Sequence, residues 1–249
     1  MSKLLFLDTE TAPHTAYVWG LFKETVPIQR LIETGRVMCF SAKWRDEDNI
    51  RFFSEHHDGH EQVIHYAHDL LSEADVVIHY NGESFDIPML NREFIKYGLT
   101  PPSPYKQIDL IRTVRKLFRF PSNKLDHIVR ELGIGAKVEH EGFELWVKCM
   151  YGDSEAWERM KEYNIHDVVI LEKLYYKLLP WIPSHPNLAL IDSPEELVCP
   201  VCNSTHVHRR GYTYTHVSKF ARFECQDCGK WSRVRLSEKE KTKLINISK

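Results

Sequence analysis

The sequence has no long apolar run. Nothing in it approaches the 18 or so residues that a membrane-spanning helix requires, and only LLFL separates Lys3 from Asp8, too short for the apolar core of a secretory leader. A cytoplasmic protein with no membrane segment is expected. Internal repeats and low-complexity tracts are also missing, which excludes a stacked-repeat architecture. Cysteine is sparse, with six in 249 residues. Four of these fall in two C-x-x-C pairs. Cys39 and Cys149 sit in apolar surroundings and read as buried free thiols, so no disulfide framework is indicated. Neither sign of charge dominates, since the formal net charge is −2. What remains is ordinary for a globular chain, with 43% hydrophobic and 27% charged residues, and the length suits one full core plus a small module.

The near-neutral total hides an asymmetry. Residues 199–249 carry eleven Lys and Arg against four Asp and Glu, so the preceding part is strongly acidic. Cys199-Pro-Val-Cys202 and Cys225-Gln-Asp-Cys228 have the spacing of a four-thiolate zinc site. Between them HVHRRGYTYTHVSKFARFEC alternates in strand fashion, and a zinc ribbon holding one structural Zn²⁺ is expected. Arg209, Arg210, Lys219, Arg222, Lys230, Arg233 and Arg235 alternate with Tyr212, Tyr214, Phe220, Phe223 and Trp231. The cations suit a nucleic-acid backbone, whereas the rings are expected mainly to fill a small core. A linker is expected in PWIPSHPNLALIDSPEE (180–196), which holds four prolines. This gives a catalytic domain over 1–183, a linker over 184–196 and a ribbon module with a basic tail over 197–249.

Four acids mark the first domain. KLLFLDTET begins as an apolar strand, and residues two apart on a strand share a face, so Asp8 and Glu10 can point to one side. DVVIHY (75–80) reads as a second buried strand. Asn81-Gly82 turns the chain, and FDIPMLNREFIKYGL reads as a helix with Pro88 in its first turn and Gly98 past its end. Asp86 sits at that helix start, where capping is its ordinary alternative. Residues 155–179 have helical apolar spacing, with Tyr163 and Asp167 one turn apart on a face. Converging carboxylates are what two Mg²⁺ or Mn²⁺ ions require to hydrolyse a phosphodiester.

A third helix is expected in IDLIRTVRKLFRF (108–120), with Leu110, Ile111, Val114, Leu117 and Phe118 on its apolar face and Asp109 at its cap. Arg112, Arg115, Lys116 and Arg119 then form a basic stripe that, with Lys124, could carry a strand toward the metals. Five histidines crowd SEHHDGHEQVIHYAHDLL (54–71), but their spacing matches no compact ligand motif.

The combination D-T-E (8–10), N-G-x-x-F-D (81–86) and Y-x-x-x-D (163–167) resembles the DEDD exonucleases, in particular the tyrosine-bearing branch that includes polymerase proofreading domains. AYVWGLF (16–22), GRVMCFSAKW (35–44), SNKLDHIVRELGIG (122–135) and GFELW (142–146) are similar to stand-alone bacterial and phage members, so the resemblance covers roughly residues 1–183. It implies an α/β, ribonuclease-H-like fold: a mixed sheet of about five strands with helices on both faces. It also implies that Asp8, Glu10, Asp86 and Asp167 hold two metal ions and that Tyr163 orients the attacking water. Thr9, Asn81 and Phe85 would meet the terminal nucleotide, Phe85 by stacking. The histidine-bearing branch has its His five residues before the last Asp, and here that position is Glu162. His166 is out of that register and is expected to be structural. The expected function is 3′→5′ exonucleolytic release of nucleoside monophosphates from single-stranded DNA 3′ ends, with replication or repair proteins as further partners of the ribbon. RNA as substrate, internal cleavage, and a silent nucleic-acid-binding adaptor are the alternatives.

Overall fold

A computed structural model describes residues 1–138, 141–192 and 195–235. In chain order its main elements are β1 (Leu4–Thr11), β2 (Thr15–Ala16), β3 (Leu31–Glu33), β4 (Val37–Trp44), β5 (Ile50–Ser54), α1 (His60–Glu73), β6 (Val76–His79), α2 (Asp86–Lys96), β7 (Lys106–Asp109), α3 (Leu110–Leu117), α4 (Leu125–Glu131), α5 (Phe143–Met150), α6 (Ser154–Leu178), α7 (Leu188–Asp192), β8 (Val207–Tyr214), β9 (Lys219–Cys225) and β10 (Trp231–Arg233). The described residues gather into two compact units: Lys3–Tyr175, and Met1–Ser2 together with the chain from Tyr176 onward. The basic tail expected beyond Arg235 lies outside the described residues.

The first unit is built on a mixed five-stranded sheet in the order β5-β4-β1-β6-β7. β5, β4 and β1 are antiparallel neighbours, whereas β1, β6 and β7 run parallel. The polar run Asp-Thr-Glu-Thr does not end β1. The strand continues through it, because Asp8 and Glu10 still pair with Ser41 and Cys39 of β4.

Alternation along β1 sorts its side chains between the two faces. Leu5 and Leu7 join a core with Val63, Ile64 and Leu71 of α1 and with Ile87, Leu90 and Phe94 of α2. Phe6 points the other way and meets Tyr175 of α6 edge to face at 5.5 Å. Asp8 and Glu10 have the parity of Phe6, so they face α6. On that side Met38 and Cys39 of β4 pack with Leu145 of α5 and with Trp157, Met160 and Tyr163 of α6. Phe6 is fully buried. Truncating such an aromatic to Ala typically costs about 3–5 kcal/mol, so the strand that carries two of the acids is anchored by packing on both faces.

α2 and α6 follow the expected pattern, with Gly98 at φ +70° ending α2. The helix expected over 108–120 is shorter. It stops at Leu117, Phe118 is extended, and Leu117 is 43% exposed. Pro121 disfavours helical geometry at Phe120, and the extended segment places Phe118 and Phe120 in ring contact at 5.7 Å. Asp109 caps α3 as expected, accepting from the Ile111 amide at 3.2 Å.

In the second unit β10, β9 and β8 form an antiparallel sheet in that order. The proline-rich stretch after α6 is tied to it. Leu188 of α7 is fully buried and its amide donates to the Pro200 carbonyl at 2.7 Å. Lys230 Nζ donates to the carbonyls of Pro180 and Ile182. Among the described residues no helix is long and apolar enough to cross a membrane.

Candidate active site

Asp8 and Glu10 on β1 meet Asp167 on α6, and one carboxylate oxygen from each lies within 4.8 Å of the others. Two neighbours fix the strand carboxylates. Asn164 Nδ2 donates to Asp8 Oδ2 at 2.7 Å, and Trp146 Nε1 donates to Glu10 Oε2 at 3.2 Å. Burial, then the charge of Asp167, raises Asp8 well above the usual carboxylate range and lifts Glu10 to about 8. Burial also raises Asp167, against the pull of Lys137. One Asp167 oxygen, Oδ1, is buried without a hydrogen-bond partner. Three crowded carboxylates and an orphaned oxygen are the donor set that a hard divalent cation satisfies, so the residues fit such an ion.

Asp86 reaches the cluster from the opposite face of the sheet. Its Oδ1 accepts from both the amide and the hydroxyl of Thr9, at 3.1 and 2.6 Å. Thr9 has the parity of Leu5 and Leu7, so it points toward α2, and its hydroxyl is engaged with Asp86. Asp86 is buried at the first residue of α2, one position past the cap residue Phe85. Its oxygens are not among the three that lie within 4.8 Å, but its charge acts on Asp8 and Glu10.

The loop before α2 is held from below. Asp109 accepts from the Asn81 amide at 2.7 Å and from the Glu83 amide at 3.3 Å. Gly82 lies on the His79 ring, where a Cβ would come within 2.5 Å. Its amide donates to His79 Nδ1 at 3.1 Å, so the His79 proton sits on Nε2, facing Gln107 Oε1 at 3.0 Å. Asn81 takes φ +70°, a conformation that Asn tolerates better than most residues. The turn delivers Phe85 with 45% of its surface exposed.

Tyr163 is buried one helical turn from Asp167, and its hydroxyl hydrogen-bonds to that carboxylate. Burial pushes its phenol upward. Lys137, which has no counterpart in the sequence motifs, enters here. Its Nζ donates to Tyr163 Oη at 3.0 Å and also to Asp167 Oδ2. Burial opposes its charge, but Asp167, Tyr163 and Asp8 outweigh that and hold the ammonium above its ordinary range. The loop carrying it is pinned twice: Ala136 O accepts from His166 Nε2 at 2.8 Å, and the Lys137 amide donates to Asp126 Oδ1 at 3.0 Å. His166 thus ties this loop to α6.

The acids take their hydrogen bonds from Asn164, Trp146, Thr9, Tyr163 and Lys137, and the expected strand guides Arg115 and Lys124 are not in that group. Arg115 is exposed on α3, where its charge acts on Tyr80, and Tyr80 Oη donates to Asn123 O at 2.7 Å. Lys124 begins α4. Arg112 of the same stripe pairs with Glu83. Asn164 could have been found from the sequence, since it lies three residues before Asp167 on one helical face. Trp146 closes the GFELW stretch (142–146). Lys137 sits in an irregular loop that no periodicity marks.

The histidine-rich segment separates into unrelated contacts. His57 Nδ1 meets Ser54 Oγ at 2.7 Å, His60 lies between Glu55 and Glu93 at 3.6 Å from each, and His68 Nε2 meets Thr100 O at 2.8 Å. His56 stacks on Trp157. No histidine group gathers as a ligand set among the described residues.

In the second unit the Sγ atoms of Cys199, Cys202, Cys225 and Cys228 all lie within 4.8 Å of one another. A hydrogen bond from Cys202 lowers the Cys199 thiol to about 5. This set fits one tetrahedral zinc and a small zinc ribbon. The aromatics, expected mainly to fill the core, do so only in part. Phe220 is buried, but Tyr214 is 69% and Trp231 48% exposed, because a three-stranded sheet has one face to cover and alternation sends the other outward. Arg222 lies over Trp231 at 5.0 Å and Arg233 over Phe220 at 3.8 Å. Lys230, expected on the cationic surface, is instead engaged by backbone carbonyls.

Comparisons with known proteins agree with this architecture. A family model described as RNase_H superfamily matches residues 5–179. A solved structure of the family B DNA polymerase from the hyperthermophilic archaeon Pyrobaculum calidifontis is similar, with a TM-score of 0.55 and 19% identity, over 72% of this chain. The chain spans only 25% of that polymerase, and at this identity the likeness bears on the fold alone. No curated protein matches the sequence. The family match runs from the strand bearing Asp8 and Glu10 through the helix bearing Asp167, well over half of the sequence, and the chain belongs to the RNase_H superfamily.

Proposed function

We propose that this protein is a metal-dependent 3′→5′ exonuclease of the tyrosine-bearing DEDD type, acting on single-stranded nucleic acid and preferring DNA. A nuclease-like function follows from the superfamily. The observation that supports the finer reading is the convergence of Asp8, Glu10 and Asp167 within 4.8 Å, beside Tyr163 and with Asp86 held at its rim by Thr9. Asp8, Glu10, Asp86 and Asp167 would hold two Mg²⁺ or Mn²⁺ ions, which supply activation of water and stabilisation of charge on the phosphate.

The chain supplies the remaining parts. Tyr163 Oη, one turn from Asp167, orients a water for attack on the terminal phosphodiester. Trp146 and Asn164 keep Glu10 and Asp8 in place. Phe85 stacks on the terminal base, with Asn81 beside it on a loop that Asp109 fixes. Arg115 and Lys124 guide the strand, and cations of the ribbon such as Arg222 and Arg233 capture it. In domain terms, residues 1–183 perform the chemistry, 184–196 connect, and 197–249 bind.

The test is digestion of 3′- and 5′-labelled DNA and RNA single strands with Mg²⁺ or Mn²⁺, alongside a circular single strand. Immediate release of labelled mononucleotide from the 3′-labelled strand, with stepwise shortening of the 5′-labelled one, is expected. Cleavage of the circle assigns an endonuclease, and binding without cleavage assigns an adaptor.

A further inference from the structure

Lys137 brings a cation into the acidic site, and it uses the groups that the proposed chemistry needs. Its ammonium takes Asp167 Oδ2 and Tyr163 Oη, and it lies 5.0 Å from the centre of the Tyr163 ring. Asp167 Oδ1 is without a hydrogen-bond partner and could take a metal, but an ammonium on the other oxygen of the same carboxylate sets two like charges close together, and they repel strongly in a poorly solvated site. The backbone around Lys137 is fixed by Asp126 and His166, but its side chain is a flexible four-carbon stem. That side chain is 27% exposed, against 1% for Asp167, so it can leave toward solvent without any loop opening.

We infer that Lys137 is an internal counter-cation of the acidic site, which occupies Asp167 and Tyr163 until a divalent metal binds and then swings out, releasing both groups together. The inference rests on the metal-dependent reading above. It adds a coupling: metal loading frees the Tyr163 hydroxyl to hold water, so the acidic cluster stays neutralised and Tyr163 stays occupied whenever metal is scarce.

Chemical acetylation of the full-length protein tests this. The protein is treated briefly with an N-hydroxysuccinimide ester of acetic acid, with EDTA or with saturating Mn²⁺. Acetylation of Lys137 is read by peptide mass spectrometry against the exposed Lys173 as reference. Mn²⁺ binding is measured in parallel by electron paramagnetic resonance. If Lys137 is engaged about 90% of the time without metal, its relative acetylation rises about tenfold with Mn²⁺, and Lys137→Met binds Mn²⁺ about tenfold more tightly, since apparent affinity scales with the competent fraction. Mn²⁺ bound with Lys137 still protected overturns the inference and leaves the metal-dependent reading intact. Equal acetylation in EDTA and Mn²⁺ overturns it as well. Absence of Mn²⁺ binding at this site overturns both. The labelling uses the unaltered chain, so it decides even if Lys137→Met folds poorly.

Discussion

Raised carboxylate pKa values make the stability of this protein depend on pH and metal in opposite senses. Burial and Asp167 lift Glu10 from 4.5 to about 8. In the absence of metal the folded state therefore binds protons that the unfolded chain has already released, over the window from about pH 4.5 to 8. Where the native state holds more protons, stability falls as pH rises. The contribution is fully present below the unfolded value and is lost as pH passes through the folded one. Each tenfold change in proton affinity is worth about 1.4 kcal/mol, so Glu10 alone sets an upper bound of about 5 kcal/mol. Lys137 neutralises part of the cluster and its acids release protons in steps, so a loss of about 3 kcal/mol is expected. In a unit of this size that corresponds to a Tm lower by about 6–12 °C. A metal ion binds the ionised carboxylates, and at a hundredfold excess over its Kd it restores about 2.7 kcal/mol. The assay is thermal unfolding by circular dichroism at several pH values, with EDTA or with Mg²⁺. The expected result is a Tm that falls with pH in EDTA and a Mg²⁺ gain that is large at pH 8 and small at pH 5. A flat profile in EDTA, or an equal Mg²⁺ gain at both pH values, would refute the buried acidic cluster.

Other expected outcomes separate charge, geometry and the second unit. Asp86→Asn keeps an acceptor for Thr9 and should abolish cleavage with little loss of stability, while Asp86→Ala also strands the Thr9 donors and should cost a further 1–3 kcal/mol or so in urea unfolding. Tyr163→Phe should lower kcat by about 10²–10⁴-fold while Mn²⁺ still binds, and an unchanged kcat reduces Tyr163 to a packing residue. Metal analysis of dialysed protein should find about one zinc per chain, released when Cys225 and Cys228 are changed to Ser. Arg222→Glu with Arg233→Glu should weaken single-strand binding and flatten the log K against log [salt] slope by roughly 0.7 for each phosphate that is no longer neutralised. Slopes that coincide with the unaltered protein assign the exposed ribbon face to another partner.

Short-range pattern was enough for much of this protein. Strand alternation alone puts Asp8 and Glu10 on one side of β1, and helical spacing alone puts Tyr163 beside Asp167. The two C-x-x-C pairs mark their cluster because knuckle spacing is a local constraint. Gly82 and Asp109 show where local chemistry passes into tertiary structure: the turn and the cap are legible, but their joint role of holding Asn81 on the rim is not. What the tertiary structure decided lies between elements distant in sequence. The sheet order makes β1 central, and only then does one face turn to α6 and the other to α2. Thr9 and Asp86 thereby meet across the sheet from Asp8, Glu10 and Asp167. Lys137 is thirty residues from Asp167 in a loop without periodicity, so no pattern along the chain could bring it there. Packing of that loop against α6 does so, through the His166 and Asp126 hydrogen bonds that fix its backbone. Spacing along the chain marks the acids, Tyr163 and the cysteines as candidates, because that spacing is local, while the fold sets the partners those groups find, because burial and charge act through space.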